Sequence, residues 1–238
     1  MTELHPIFEA RDILNRKVDR MNKVISRLAG WGAVVLMAVA MSMSFAQAAK
    51  PVSIPLDDTQ KQLVQRISDY FNSFQSLKGD FTQVSPRGNS VKGLIFLSKP
   101  GKLRFDYSPP SPLLIASDGT WLTIKNKTKE KGDQVPLSST PLRLIVSSKL
   151  NLLSDTAILG VESAGGFTTL TLADKNENVN SGSMILVYDQ TKNELQQWII
   201  VDGKGQRTTV QLENLQMNVA LDPKLFKVTI AGDKSLRK

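Results

Sequence analysis

From residue 59 to 77, apolar side chains recur every three or four positions. Leu63, Ile67, Tyr70, Phe71 and Phe74 share one face, while Gln62, Gln65, Arg66, Ser68 and Asp69 fall elsewhere. That spacing predicts an amphipathic helix whose broad greasy side lies on something apolar. Asp58 or Thr59 can cap its first turn, and Gly79 is expected to stop it just past Lys78. Beyond Gly79 the period falls to two. Leu103, Phe105 and Tyr107 alternate with Lys102, Arg104 and Asp106, the pattern of a half-buried strand. Similar runs occupy 79–85, 91–98, 112–117, 120–125, 167–174, 183–189, 194–201 and 207–218, with Asp118-Gly119, Gly165-Gly166 and Asp202-Gly203 as turns. The expectation is a mainly β chain with some α (α+β). About ten strands would form one antiparallel sheet, strongly curved or closed. Leu142, Ile145, Val146, Leu150 and Leu153 predict a short helix over 142–153 with Pro141 in its first turn. Asp222-Pro223 opens a last helical turn that ends near Phe226.

The first 49 residues follow another rule. Arg11, Arg16, Lys17, Arg20, Lys23 and Arg27 precede an apolar run over 28–45, and Ala46-Gln47-Ala48 follows it. A basic leader, a short apolar stretch and a small-residue site predict a secretory signal peptide, cut after Ala48 or Ala49. The run is shorter than the ~20 apolar residues of a spanning helix. Met21-Asn22-Lys23 would open a leader of ordinary proportions, so residues 1–20 are expected to precede the true start. Residues 50–238 then make a single domain, exported to the periplasm.

Composition narrows the chemistry. The whole chain has 30 Lys/Arg and 22 Asp/Glu, of which six and four lie in residues 1–49, leaving 24 against 18, a net of +6. No dense basic block interleaved with aromatics appears, so nucleic acid is not an expected partner. There is no cysteine, and the single histidine is His5, inside the leader. That removes His-bearing triads, Cys nucleophiles and the usual zinc ligands from the exported part. It also removes lipid anchoring through cysteine. Asp57-Asp58 suit a helix start, and Asp118 and Asp202 suit the turns they precede. A Ser–Lys site needs no histidine, but no spacing singles one out. No enzyme, cofactor or metal is expected. What stands out is apolar: Phe105, Tyr107, Trp121, Trp198 and Ile200 lie on strands that greasy helices also cover. A solid core and a hollow one share that binary pattern.

A series of local phrases, in order, resembles the LolA family of outer-membrane lipoprotein carriers. It runs through Phe81-Thr82-Gln83, Gly93-Leu94, Lys99-Pro100, the strand from Leu103 to Tyr107, Pro109, Ser117-Asp118-Gly119 with Trp121, and Thr140-Pro141-Leu142. Gln197-Trp198, the stretch from Asp202 to Arg207, and Phe226 complete it. The resemblance implies an unclosed antiparallel half-barrel with a helical lid over an apolar cavity. It implies a carrier that accepts triacylated lipoproteins from an inner-membrane ABC-type release complex and passes them to an outer-membrane acceptor. Leu103 and Phe105 match cavity positions, Trp198 an aromatic that faces the lid, and Leu142, Leu144 and Ile145 the lid helix. Tyr107, Trp121 and Ile200 are expected to complete the cavity wall. Lys99 stands where the family often has an arginine that helps hold the lid. Lysine lacks the planar fork, so a looser clasp is expected. Arg143 replaces a commonly apolar lid residue, and its edge of the lid is expected to face water. Phe105 occupies a frequent Trp position, and the stretch after Phe226 is short for an extra strand. A monomer is expected.

The energetics suit such cargo. Three acyl chains hold about 40 methylenes, and at ~0.8 kcal/mol each their exposure to water would cost about 30 kcal/mol. A carrier of another amphiphile, such as a glycolipid or fatty acid, would show almost the same sequence. A periplasmic lipoprotein-sensing module of a regulator would share the fold.

Overall fold

The computed structural model describes residues 51–175 and 182–231. The expected signal peptide lies outside these residues. The first described element is α1 (Asp58–Asn72), which starts because Asp57 and Gln60 satisfy each other's backbone. The Gln60 amide donates to Asp57 Oδ1 at 2.8 Å, and the Asp57 amide donates to Gln60 Oε1 at 3.1 Å. The cap is therefore Asp57, one residue before the expected Asp58. The helix also ends five residues before 77, because Leu77 is taken by a strand in which it opposes Leu97 and Met217. Gly79 is not a helix stop. It sits inside that strand, where a Cβ would come within 2.5 Å of Leu215 Cδ2.

Eleven strands follow: β1 (Ser76–Val84), β2 (Ser90–Ser98), β3 (Lys102–Tyr107), β4 (Leu113–Asp118), β5 (Trp121–Asn126), β6 (Gly132–Pro136), β7 (Thr156–Ala164), β8 (Phe167–Asp174), β9 (Ser183–Asp189), β10 (Glu194–Val201) and β11 (Arg207–Met217). They form one antiparallel sheet in the order β6-β5-β4-β3-β2-β1-β11-β10-β9-β8-β7. Each half is a meander, and the first strand is hydrogen-bonded to the last. β6 and β7 are edges, so the curved sheet does not close. Extra residues on β11 between Glu213 and Gln216, on β7 between Ile158 and Gly160, and on β10 between Leu195 and Gln197 break the register. Such bulges bend strands and increase twist. The β7 edge is met by the chain before α1, where the Ile54 amide donates to the Ile158 carbonyl at 2.9 Å.

Between β6 and β7 the chain crosses the hollow of the sheet. The expected single helix over 142–153 is instead two short turns, α2 (Leu142–Ile145) and α3 (Leu152–Asp155). Asn151 caps the second, its side chain accepting from the Leu153 and Ser154 amides. A 3-10 turn at Pro223–Phe226 begins where Asp222-Pro223 predicts it.

Both faces of the sheet are covered. α1, α2 and α3 fill the concave side, where Val64, Ile67, Tyr70, Phe71, Leu144, Ile145 and Leu152 join strand residues in one apolar cluster. The C-terminal stretch lies on the convex side and buries Phe226 and Ile230. Arg104 donates to the Leu225 carbonyl at 3.0 Å, and the Ala231 amide donates to Glu130 at 3.0 Å. Beneath that stretch Asp106 accepts from Arg104 at 2.7 Å and lies 2.6 Å from the Lys127 ammonium. Burial alone would raise the Asp106 pKa, but hydrogen bonds from Lys127 and Arg104 outweigh it and hold the carboxyl below its usual value.

Candidate functional site

Directly paired residues of an antiparallel sheet point the same way, so register decides which side chains face the hollow. Leu97 opposes Leu103, Ile95 opposes Phe105, and Gly93 opposes Tyr107. Leu186 and Val210 flank Trp198. Leu103, Phe105, Tyr107 and Trp198 are all buried in the concave cluster, and Ile200 packs against it partly exposed. The rings meet edge to face: Phe81 with Phe105 at 5.2 Å, Phe81 with Tyr107 at 5.0 Å, Phe105 with Trp198 at 6.1 Å. Such contacts combine a large apolar payload with defined geometry.

Trp121 does not belong to this wall. Ser117, opposite Leu103, pairs with Leu122, so the inward residue of β5 is Leu122 and Trp121 turns to the convex side. A strand begun one residue earlier in reading exchanges its two faces, and the hairpin at Asp118-Gly119 leaves that one residue open. Leu122, Phe81, Ile95 and Leu186 are concave residues that the sequence reading did not single out; period two alone could have found Ile95, by its place opposite Phe105.

Of the lid residues, Leu144 and Ile145 are buried and Leu142 is partly so. Beneath them Phe71, Leu144, Ile145, Leu172, Met184, Leu186 and their apolar neighbours meet without space for a water molecule.

Polar tethers hold the cover, among them a bond from the Leu152 amide to the Ser68 hydroxyl of α1 at 3.1 Å. The Gly101 amide donates to Val146 at 2.8 Å, fixing α2 to the β2–β3 turn. Asn72 clasps the backbone of Leu150 at both its N–H and its C=O, each at 2.8 Å. Arg143 is ion-paired with Asp174 at the end of β8, their side chains 29% and 3% exposed. The edge of α2 that carries Arg143 therefore does not simply face water; it is anchored to the sheet by a mostly buried charge pair. Lys99 acts elsewhere. Its ammonium donates to the Phe71 carbonyl near the end of α1 and lies 4.1 Å from the centre of the Phe74 ring. Burial pushes its pKa down to about 8. It thus clasps α1, while Arg143 and Gly101 hold α2.

At the end of the sheet formed by the β1–β2, β3–β4 and β10–β11 connections, burial of the concave face falls. Val91, Leu113, Ile115 and Ile200 are only partly covered there. Polar side chains share this face: Asn126 opposite Leu113, Thr208 opposite Ile200, and Gln83, whose Oε1 accepts from the Tyr107 hydroxyl at 2.6 Å. Tyr107 is 1% exposed, and burial pushes its pKa up to about 12. The arrangement offers an apolar trough, a thin cover and a partly open end.

Comparison with known proteins agrees with this reading. A solved LolA superfamily protein from Nitrosomonas europaea aligns over 69% of this chain and 97% of its own, with TM-score 0.41 and 11% identity. The outer-membrane lipoprotein carrier protein of Pseudomonas aeruginosa is 29% identical over 200 residues, covering 79% of this chain and 89% of its own. That of Methylococcus capsulatus is 30% identical over 173 residues, covering 68% and 81%. The family model described as outer membrane lipoprotein carrier protein LolA matches residues 72–229. That last match, over well more than half of the chain, shows the family: the chain belongs to the LolA family of outer membrane lipoprotein carrier proteins.

Proposed function

We propose that this protein is a periplasmic carrier that takes up the acyl chains of lipoproteins released from the inner membrane and delivers them to the outer membrane. The family's activity is carriage, and lipid-modified protein is its cargo. The single observation that carries the reading here is the wholly apolar packing of α2 on the concave face, from Phe71 and Ile145 to Met184 and Leu186. Leu103, Phe105, Tyr107, Trp198 and Ile200 would form the wall that receives the chains, and Leu142, Leu144 and Ile145 the lid that moves aside. Apolar walls shelter methylenes without fixing them, so binding can rival a membrane without greatly exceeding it. Delivery then needs only a better home for the chains. An inner-membrane ABC-type release complex and an outer-membrane acceptor are the partners this role requires.

The test is incubation of residues 50–238 with ATP and inner-membrane vesicles bearing a tagged triacylated lipoprotein. A soluble one-to-one complex, lost in Ile145→Glu and Trp198→Glu, is the expected result. Retention of the lipoprotein in the membrane, while native mass spectrometry finds a glycolipid or fatty acid on the protein, would reassign the cargo.

A further inference from the structure

Gln83 is out of place in a trough for hydrocarbon. It lies on the inward side of β1, two residues beyond Phe81, with Val91 and Val210 directly opposite it. Its Oε1 is taken by the Tyr107 hydroxyl, and its side chain makes no other hydrogen bond among the described residues. Tyr107 is held by burial and by its edge-on contact with Phe81, and with its hydroxyl donating to Oε1 the other end of the amide is turned away from it. That end is the NH₂, which can only donate. Two N–H donors are thus presented among Val91, Leu113, Ile115 and Ile200, at the partly open end.

A multiply acylated lipid has few polar atoms near its chains. They are the ester and amide carbonyls at the neck where the chains converge, and all of them accept hydrogen bonds. We propose that Gln83, oriented by Tyr107, is a subsite for the ester carbonyls of that neck, placing the neck at the open end while the chains run under α1 and α2. The proposal rests on the carrier reading and deepens it: the trough would bind chains, and Gln83 would set their depth and distinguish acyl esters from other amphiphiles. Buried donors left unpaired disfavour a ligand without the matching acceptor.

The test uses two synthetic N-palmitoylated lipopeptides, one with ester-linked and one with ether-linked chains, offered to residues 50–238 from neutral phosphatidylcholine vesicles. The wild type should take up the ester form about three- to tenfold better, the range expected for one hydrogen bond. Gln83→Leu should erase that preference while leaving uptake of the ether form unchanged, which also certifies its fold. Tyr107→Phe, which frees the amide to turn, should reduce the preference. With ¹³C-labelled esters, the carbonyl stretch of the bound lipid should move to lower frequency in the wild type and not in Gln83→Leu. Equal uptake of both forms by the wild type, or a preference that survives Gln83→Leu, overturns the subsite and leaves the carrier intact. Uptake of neither form overturns the carrier reading itself.

Discussion

α1 and α2 cover the same concave face and are attached to it by different means. α1 is fifteen residues long, closed by a capping box, and buries Val64, Ile67, Tyr70 and Phe71. α2 has four residues, buries Leu144 and Ile145, has no side-chain cap, and depends on one backbone hydrogen bond and one ion pair. Full burial of a large apolar side chain stabilises by about 1.5–3 kcal/mol, so α1 is held about twice as firmly by packing alone. The lesson is that the two covers differ in how much packing would have to be given up for either to move, which suits the lid role proposed for α2.

The comparison can be tested at three strengths. The largest effect should come from Phe71→Ala, which removes a buried ring of α1 and should cost about 3–5 kcal/mol of global stability in denaturant titration. An equal loss from Leu144→Ala would erase the distinction between the two helices. Next, Arg143→Ala removes the guanidinium from a carboxylate whose side chain is only 3% exposed. Such losses reach about 3–5 kcal/mol when both partners are fully buried, and the partial exposure of Arg143 brings the expectation to about 2 kcal/mol. It should appear locally, as hydrogen exchange at Leu144 to Val146 faster by about thirtyfold with α1 amides unchanged. Uniform acceleration would mean that the pair holds the whole fold rather than the lid. The smallest effect concerns Lys99. Its folded pKa of about 8 lies below the ordinary 10.5, so between those values the unfolded chain binds more protons and stability rises with pH. Wild-type stability relative to Lys99→Gln should therefore climb from pH 8 to 10.5. A flat difference would mean that burial does not lower the Lys99 pKa.

Much of this was legible in residue order. β8, β9 and β10 begin and end where period two places them, because each has a clean inward-outward alternation between turn residues. β6 was not legible: Gly132, Asp133 and Pro136 are poor strand formers, tolerated because it is an edge. β7 was hidden by its bulge at Ile158–Gly160, which shifts the alternation midway. α1 was read too long because Phe74 and Leu77 keep helical spacing, while sheet pairing claims Leu77. The candidate site fared less evenly. Wall positions on β3 and β10 follow from alternation, whereas Trp121 failed by one residue of phase. The Arg143–Asp174 pair spans 31 positions and obeys no local period, so only the folded chain brings it together.

The adjacency of β1 and β11 governs how the molecule can be made. Each meander, β1 to β6 and β7 to β11, contains only neighbours in sequence and can assemble on the fly. The seam between them, from Leu77 against Met217 to Val84 against Thr209, joins positions more than a hundred residues apart. Contacts of such high order are slow to form. A chain entering the periplasm amino end first must wait for nearly its whole length before sealing them. Until then two greasy half-troughs stand open, and folding speed is set by the last seam rather than by the first helix.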